Sequence, residues 1–264
     1  MPAGWQVPAF IEDVYRERRS DYCLVIPVIN EGDRIRDQLK RIAGMAIPID
    51  IVVADGGSTD GSLAPEWLKE MNVRACLTKT GPGRLSAQLR VAYAWAMQQG
   101  YDGVATIDGN GKDGVDGIWK MIEKLRDGYD YVQGSRYAPG GVAENTPILR
   151  WFACRFIHAP LISLAARHWF TDTTNGFRSY SRLFLLDRRV QPFRDIFREY
   201  SLLFYLSVRA SQLGFRVTEI GVKRSYPKSG VVPTKISGPG AALRLMRELL
   251  QVFFGAYHPV PDRD

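Results

Sequence analysis

Short apolar runs alternate with helix-spaced segments through the first half of the chain. Residues 22–29, YCLVIPVI, predict a buried strand. In the segment from Glu31 to Ala43 the spacing of Ile35, Leu39 and Ile42 predicts a helix, which Gly44 closes. IDIVVAD predicts a second strand, residues 62–71 a helix and residues 72–77 a third strand. The run from Leu85 to Gln99 predicts a long helix that ends at Gly100. GVATID predicts a fourth strand, residues 115–127 a helix and YDYVQGS a fifth strand. Apolar strands alternating with helices imply an α/β architecture, a Rossmann-like, mostly parallel sheet flanked by helices.

Beyond residue 136 the rhythm changes. Residues 147–170 are apolar and aromatic with Arg150, Arg155 and Arg167 interspersed, and Pro160 is expected to interrupt any helix there. TDTTNGFRSYS reads as a polar loop, 199–213 as a helix, 215–222 as a strand and RSYPKSGVVPTKISGPG as a basic loop. Residues 241–254 predict an amphipathic helix with Ala242, Leu245, Met246, Leu249, Leu250 and Phe253 on one face. The expected organisation is an N-terminal extension (1–21), a main domain (22–240) and a C-terminal helix and tail (241–264). The main domain divides into a nucleotide-binding part (22–135) and an acceptor part (136–240).

In sheets of this kind ligands bind beyond the carboxyl ends of the strands. Four polar, glycine-bearing loops follow such ends: INEGDR, DGGSTDG, KTGPGR and DGNGKDG. Together they would face one crevice, with acids placed directly at strand ends. Asp55 and Glu31 could accept hydrogen bonds from a base or ribose. Asp108 could hold a divalent cation against a diphosphate. Gly81 and Gly83 would allow close backbone approach, and Arg84 could pair with a phosphate oxygen.

Charge adds a second constraint. The 264 residues carry a net +7, unevenly spread: residues 1–135 hold 16 basic and 19 acidic side chains, residues 136–264 hold 19 and 9. A basic second half suits a partner bearing phosphate: nucleic acid, an anionic membrane or a phosphorylated substrate. Carboxylates at the strand ends would repel a nucleic-acid backbone, so no nucleic-acid partner is expected. Three scattered cysteines give neither a disulfide framework nor a zinc pattern and point to a reducing compartment. The first twenty residues lack the pattern of a signal peptide, and no uninterrupted apolar run of spanning length stands out. The expected location is cytoplasmic, with the apolar segments 147–170 and 241–254 able to rest on a membrane surface. The three histidines show no ligand spacing.

VIPVINEGDRI, VVADGGSTDGS, TIDGNGKDG, QGSRYAPGG and TDTTNGFRSYSR resemble the family 2 glycosyltransferases, nearest to the branch of dolichol- or polyprenyl-phosphate mannose synthases. The resemblance runs from about residue 22 to residue 250. It implies a GT-A fold and inverting transfer of a hexose from a GDP- or UDP-linked sugar, in the nearest branch to a polyprenyl phosphate. By position, Pro27, Asn30 and Glu31 match the nucleotide pocket and Asp55 the acid that contacts the base. Gly83 and Arg84 match the loop beside the donor, and Asp108, followed by Gly109, opens the DxD-like metal motif. Arg136 matches a basic residue near the phosphates. Thr174, Asn175, Gly176, Phe177 and Arg178 match the acceptor-side loop, and Arg224 and Lys235 a basic segment that closes over phosphate. Arg155 joins these arginines as a group able to steer an anionic acceptor.

The metal motif departs from the family's frequent DAD-x-Q. Here it reads Asp108-Gly109-Asn110-Gly111-Lys112. Either Asp113 supplies the missing charge to a Mg²⁺ or Mn²⁺ held by Asp108 and Asn110, or Lys112 in part replaces the metal as counter-charge. A phosphate acceptor needs no general base, whereas a hydroxyl acceptor would, and Asp172 is the candidate. Three alternatives stay open: a soluble family 2 transferase acting on a saccharide or small-molecule hydroxyl, a catalytically silent relative, and a basic nucleic-acid-binding module.

Overall fold

The computed structural model describes residues 2, 4–228 and 239–259. In chain order the elements are β1 (Phe10–Val14), β2 (Tyr22–Val28), α1 (Asp33–Gly44), β3 (Asp50–Asp55), α2 (Pro65–Glu70), β4 (Val73–Lys79) and α3 (Leu85–Gln98). Then come β5 (Gly103–Thr106), α4 (Gly117–Arg126), β6 (Tyr131–Ser135), β7 (Val142–Glu144), α5 (Ile148–Ala153), a π-helical turn (Cys154–His158) and α6 (Ala159–Ala166). The remainder is β8 (Arg178–Ser181), α7 (Arg182–Leu186), α8 (Ser201–Gln212), β9 (Val217–Gly221), β10 (Lys223–Ser225) and α9 (Pro239–Phe253).

Among the described residues, eight strands form one sheet in the order β1-β4-β3-β2-β5-β8-β6-β9, and β7 and β10 pair apart from it. The pairs β2·β3, β3·β4, β2·β5 and β6·β9 are parallel. β8 is antiparallel to both β5 and β6, and β1 to β4. The inner strands are buried on both faces, which is why they read as continuous apolar runs. Alternate residues of β2 serve two cores. Leu24, Ile26 and Val28 meet α1 and α4 through Ile35, Leu39, Ile118 and Met121. Cys23 and Val25 meet the layer built by α3, α6, α8 and α9. Strand order reverses at β2, with β3 on one side and β5 on the other, so the loops after β2 and β5 part there and open a crevice.

Three expectations change. The N-terminal segment is part of the sheet: Phe10–Val14 pairs along β4, and Trp5 packs 4.1 Å from the Phe193 ring. It escaped the apolar-run criterion because four of its five side chains are exposed, as suits an edge. The end of TDTTNGFRSYS is a central strand, β8, whose polar Arg178 and Ser179 are buried and hydrogen-bonded. Pro160 does not break its helix. Ala159 N donates to Cys154 O, an i→i+5 bond, so a wide π turn absorbs an extra residue just ahead of the proline ring. The resulting continuous helix, Ile148–Ala166, is long and apolar enough to cross a membrane by length and composition alone.

Candidate functional site

A cleft of about 1090 Å³ lies over the carboxyl ends of β2, β3, β4 and β5. Its floor is polar: Pro27, Glu31 and Arg34 after β2, Gly56 after β3, Lys79, Gly83 and Arg84 after β4, and Asp108, Gly109, Asn110 and Lys112 after β5. Its far wall is apolar, formed by Leu149, Ala153 and Ile157 of the long helix, Leu203 and Phe204 of α8, and Leu245, Met246 and Leu249 of α9. Arg150, Thr174, Gly176 and Arg224 stand between the two zones.

The floor is held by loop-to-loop bonds. Asn30, in a left-handed conformation, accepts from Thr59 N (2.8 Å) and so ties the loop after β2 to the one after β3. Gln88 of α3 donates to the carbonyls of Val28 and Ala54 and pins the ends of β2 and β3 from beneath. Gly109 N donates to Pro27 O (3.2 Å), and a Cβ at Gly109 would stand 2.9 Å from that same oxygen. Only glycine therefore lets the loops after β2 and β5 close at the switch point. Glu31 is ion-paired with Arg34 (2.8 Å) at the cleft wall.

Asp55 is not part of the cleft wall. It is 4% exposed and accepts from Ser58 N (2.9 Å) and Ser58 Oγ (2.6 Å), capping its own turn. The neighbouring Gly56 faces the cleft instead. Its carboxylate shapes the loop that carries Gly56.

Asp108 lies at the crossing of several elements. Arg224, on β10, donates to Asp108 Oδ2 (3.1 Å), to Asp113 Oδ2 (2.5 Å) and to Asn175 Oδ1 (3.2 Å). Burial alone would lower the Arg224 guanidinium, but Asp113 and Asp108 hold it well above its ordinary value. Asp113 is fully enclosed and ion-paired, away from the cleft, and so is not placed to complete a metal site. Asn110 turns its amide nitrogen toward Asp108 Oδ2 (3.4 Å) and its oxygen toward Lys112 N (3.2 Å). Among the described residues no three His, Cys, Asp or Glu side chains gather to hold a metal ion. Lys112 lines the cleft, and burial together with Arg224 brings its ammonium down to about 8.

The acceptor-side residues divide. Arg136 and Asp172 form a buried, bidentate ion pair: Nε to Oδ2 2.6 Å, Nη2 to Oδ1 2.9 Å. Thr174 Oγ1, at the cleft, accepts from Arg136 Nη2 (2.6 Å). Burial would raise the Asp172 carboxyl, but Arg136 more than offsets this and holds it below the usual carboxylate range. A carboxylate so paired does not serve as a general base, and Arg136 stands behind Thr174 and not at the cleft wall. Arg178 borders the cleft, but its guanidinium donates to Asn175 O (2.9 Å), Thr173 O (2.7 Å) and Ser207 Oγ (2.9 Å). It props the 173–177 loop and is not presented to a ligand. Arg155 stacks on Tyr137 (4.9 Å) outside the cleft, and Lys235 lies outside the described residues.

Sequence reasoning passed over Lys79, Arg150, Tyr226 and His158, all of which line the cleft. Lys79 had a signal, since it ends a strand as Asp55 does. The other three reach the cleft only through the packing of the long helix and β10. His158 is buried, with Nδ1 2.7 Å from Thr173 Oγ1, and burial followed by Arg178 brings its imidazole down to about 3.

Comparison with known proteins agrees with this architecture. The chain is 26% identical over 220 residues to polyprenol monophosphomannose synthase of Mycolicibacterium smegmatis, covering 81% of this chain and 80% of the relative. It is 26% identical over 223 residues to undecaprenyl-phosphate mannosyltransferase of Micrococcus luteus, covering 81% and 86%. Glucosyl-3-phosphoglycerate synthase of Mycobacterium tuberculosis, solved with Mn²⁺, uridine diphosphate and phosphoglyceric acid, superposes with a TM-score of 0.61 at 17% identity, covering 92% of this chain and 80% of that one. That likeness is one of fold, the GT-A arrangement of a mixed sheet between helical layers. The profile of glycosyl transferase family 2 matches residues 23–189, more than half of the chain and every strand-end loop of the cleft, so the chain belongs to that family and is a glycosyltransferase.

Proposed function

We propose that the chain transfers a hexose, with inversion, from a guanosine or uridine diphosphate sugar to a polyprenyl phosphate at a membrane surface. The observation that carries this reading is the two-zone cleft: a polar floor at the strand ends continuous with an apolar wall between the long helix and α9. A sugar nucleotide suits the floor, a polyprenyl chain suits the wall, and the acceptor phosphate would lie where the zones meet, beside Arg150 and Arg224. The rim supports the membrane part. Ile148, Leu149, Phe152 and Phe156 of the long helix, Leu243 of α9 and Phe254 just after it are all more than half exposed. Such an apolar rim around a cleft mouth is suited to an interfacial position. The names of the two mannosyl-transferring relatives support the acceptor class.

In this reaction an acceptor phosphate oxygen attacks the anomeric carbon. The bond to the diphosphate breaks, and the electron pair leaves on the diphosphate. The attacking oxygen is already anionic near neutral pH, so no general base is required, consistent with the ion-paired state of Asp172. The residues at the cleft act by orientation and charge.

The test is incubation with labelled GDP- and UDP-hexoses and either a polyprenyl phosphate in mixed micelles or soluble saccharides. The expected product partitions into organic solvent and forms only with the lipid phosphate. Transfer to saccharide hydroxyls alone would refute the acceptor assignment.

A further inference from the structure

Tyr226 stands where the polar floor and the apolar wall meet. It lines the cleft together with Arg150 and is only 4% exposed. It directly follows β10 and is fixed through its backbone: Tyr226 N donates to Glu144 O (3.0 Å), and Tyr226 O accepts from Asn145 Nδ2 (3.1 Å). Both bonds tie it to the segment that leads into the long helix, which begins at Ile148. At the other end of the side chain, Arg136 Nη1 approaches the hydroxyl (3.5 Å), so the Arg136–Asp172 pair braces the phenol. Held at both ends, the ring is a rigid platform.

The two guanidiniums at this junction are held differently. Arg224 donates to Asp108, Asp113 and Asn175 and needs no further support. Arg150 Cζ lies 5.7 Å from the centroid of the Tyr226 ring, and among the described residues its side chain makes no hydrogen bond or ion pair. Ordering so long a side chain costs rotamer entropy, which the attraction of a cation to a ring face offsets. That attraction consumes no N–H donor, so Arg150 keeps its full set for a ligand, whereas Arg136 and Arg178 have spent theirs on the protein. Lys112 Nζ (5.3 Å) and Arg224 Cζ (5.9 Å) also approach the ring, but both are engaged elsewhere as well. Loss of the ring therefore releases Arg150 first.

We propose that Tyr226 is a positioning residue for the acceptor phosphate: its ring holds the Arg150 guanidinium at the junction of floor and wall, and its backbone anchors the start of the helix that carries Arg150. This rests on the acceptor reading given above. Tyr226 touches neither reacting atom and acts through Arg150, so its removal weakens capture of the acceptor and leaves the donor side intact.

The test varies polyprenyl phosphate in mixed micelles at saturating donor. Tyr226→Leu should raise the KM for the lipid phosphate about tenfold. The Kd of the nucleoside diphosphate, measured by calorimetry, should stay within about twofold of wild type. Tyr226→Phe, which keeps the ring, should bring the acceptor KM back to within about threefold of wild type. The double variant Tyr226→Leu/Arg150→Gln should be no worse than Arg150→Gln alone, because the two residues act as one unit. Phenylalanines of increasing fluorination in place of Tyr226 keep the shape and weaken the negative ring face, so the KM should climb step by step. This series carries the test if melting curves show Tyr226→Leu to be unfolded. A KM unchanged across the fluorinated series, or losses that add in the double variant, would overturn the positioning role while wild-type transfer to the lipid upholds the acceptor reading. A wild-type protein that forms no lipid-linked product would bring down both.

Discussion

Replacing Asp172 with asparagine distinguishes a structural ion pair from a general base. Asp172 accepts five hydrogen bonds: two from the Arg136 guanidinium (2.6 and 2.9 Å), one from Arg136 N (3.2 Å), and two from Thr174, through N (3.2 Å) and Oγ1 (3.0 Å). Both partners are almost wholly excluded from water. Asparagine keeps the shape but turns an NH₂ group toward a guanidinium, leaving a buried cation unpaired. Breaking a buried pair from one side costs about 3–5 kcal/mol. At about 2–4 °C per kcal/mol for a domain of this size, the melting temperature should fall by roughly 6–20 °C. Calorimetry or urea unfolding measures that loss. Transfer assayed well below the new midpoint should fall by less than about tenfold, whereas loss of a general base costs about 10²- to 10⁴-fold. The double variant Arg136→Met/Asp172→Leu should recover most of the stability, since an apolar pair leaves no orphan charge. A variant that melts within a degree of wild type, yet transfers about a hundredfold more slowly, would refute the structural assignment and restore Asp172 as a base.

Two further outcomes follow from the cleft. A Cβ at Gly176 would fall on the Asp108 carboxylate, so Gly176→Ala should displace it and lower kcat/KM by about 100-fold. Gly44→Ala, where a Cβ meets nothing within 4 Å, should leave transfer unchanged in the same assay, and a fully active Gly176→Ala would show that Asp108 can move freely. His158 stays neutral in the folded chain down to about pH 3, while in the unfolded chain it protonates near its ordinary 6.5. The unfolded state therefore binds the extra proton between these values, and stability falls as pH drops through that window, by up to about 1.4 kcal/mol per unit. His158→Asn, which can keep a bond to Thr173, should show a flatter stability profile between pH 6.5 and 4.5. A parallel profile in urea unfolding would place the acid sensitivity elsewhere.

Where the sequence was legible, one residue type carried both position and chemistry. Asp108 closes the apolar run GVATID, two residues beyond the end of β5, and the turn glycines around it mark the crevice without any tertiary information. The arginines were opaque for the opposite reason. Arg136, Arg178 and Arg224 look alike in sequence, yet they pair with an acid 36 residues away, with carbonyls of their own loop, and with acids 111 and 116 residues away. Only the fold decides which guanidinium is used up on the protein and which stands beside the cleft. β8 was hidden because its buried groups are polar and satisfied by neighbours that its own sequence does not contain. Asp55 shows what position alone leaves out: it ends β3, as its place in the sequence predicts, and its carboxylate accepts from Ser58 three residues on.

The π turn at Cys154–His158 works as a phase shifter. One residue in an α-helix corresponds to a rotation of about 100°, so the extra residue sets the angular offset between the two ends of the long helix. With that offset, Ile162 and Ala166 enter the core while Arg150 reaches Tyr226 and Leu149 and Ile157 face the cleft. Deleting one residue there would leave the composition almost unchanged but turn the N-terminal half of the helix like a dial. Arg150 would swing away from the ring and a different apolar stripe would meet the cleft. The mouth of the cleft can thus be re-faced through the length of one turn, with no substitution among the residues that form its floor.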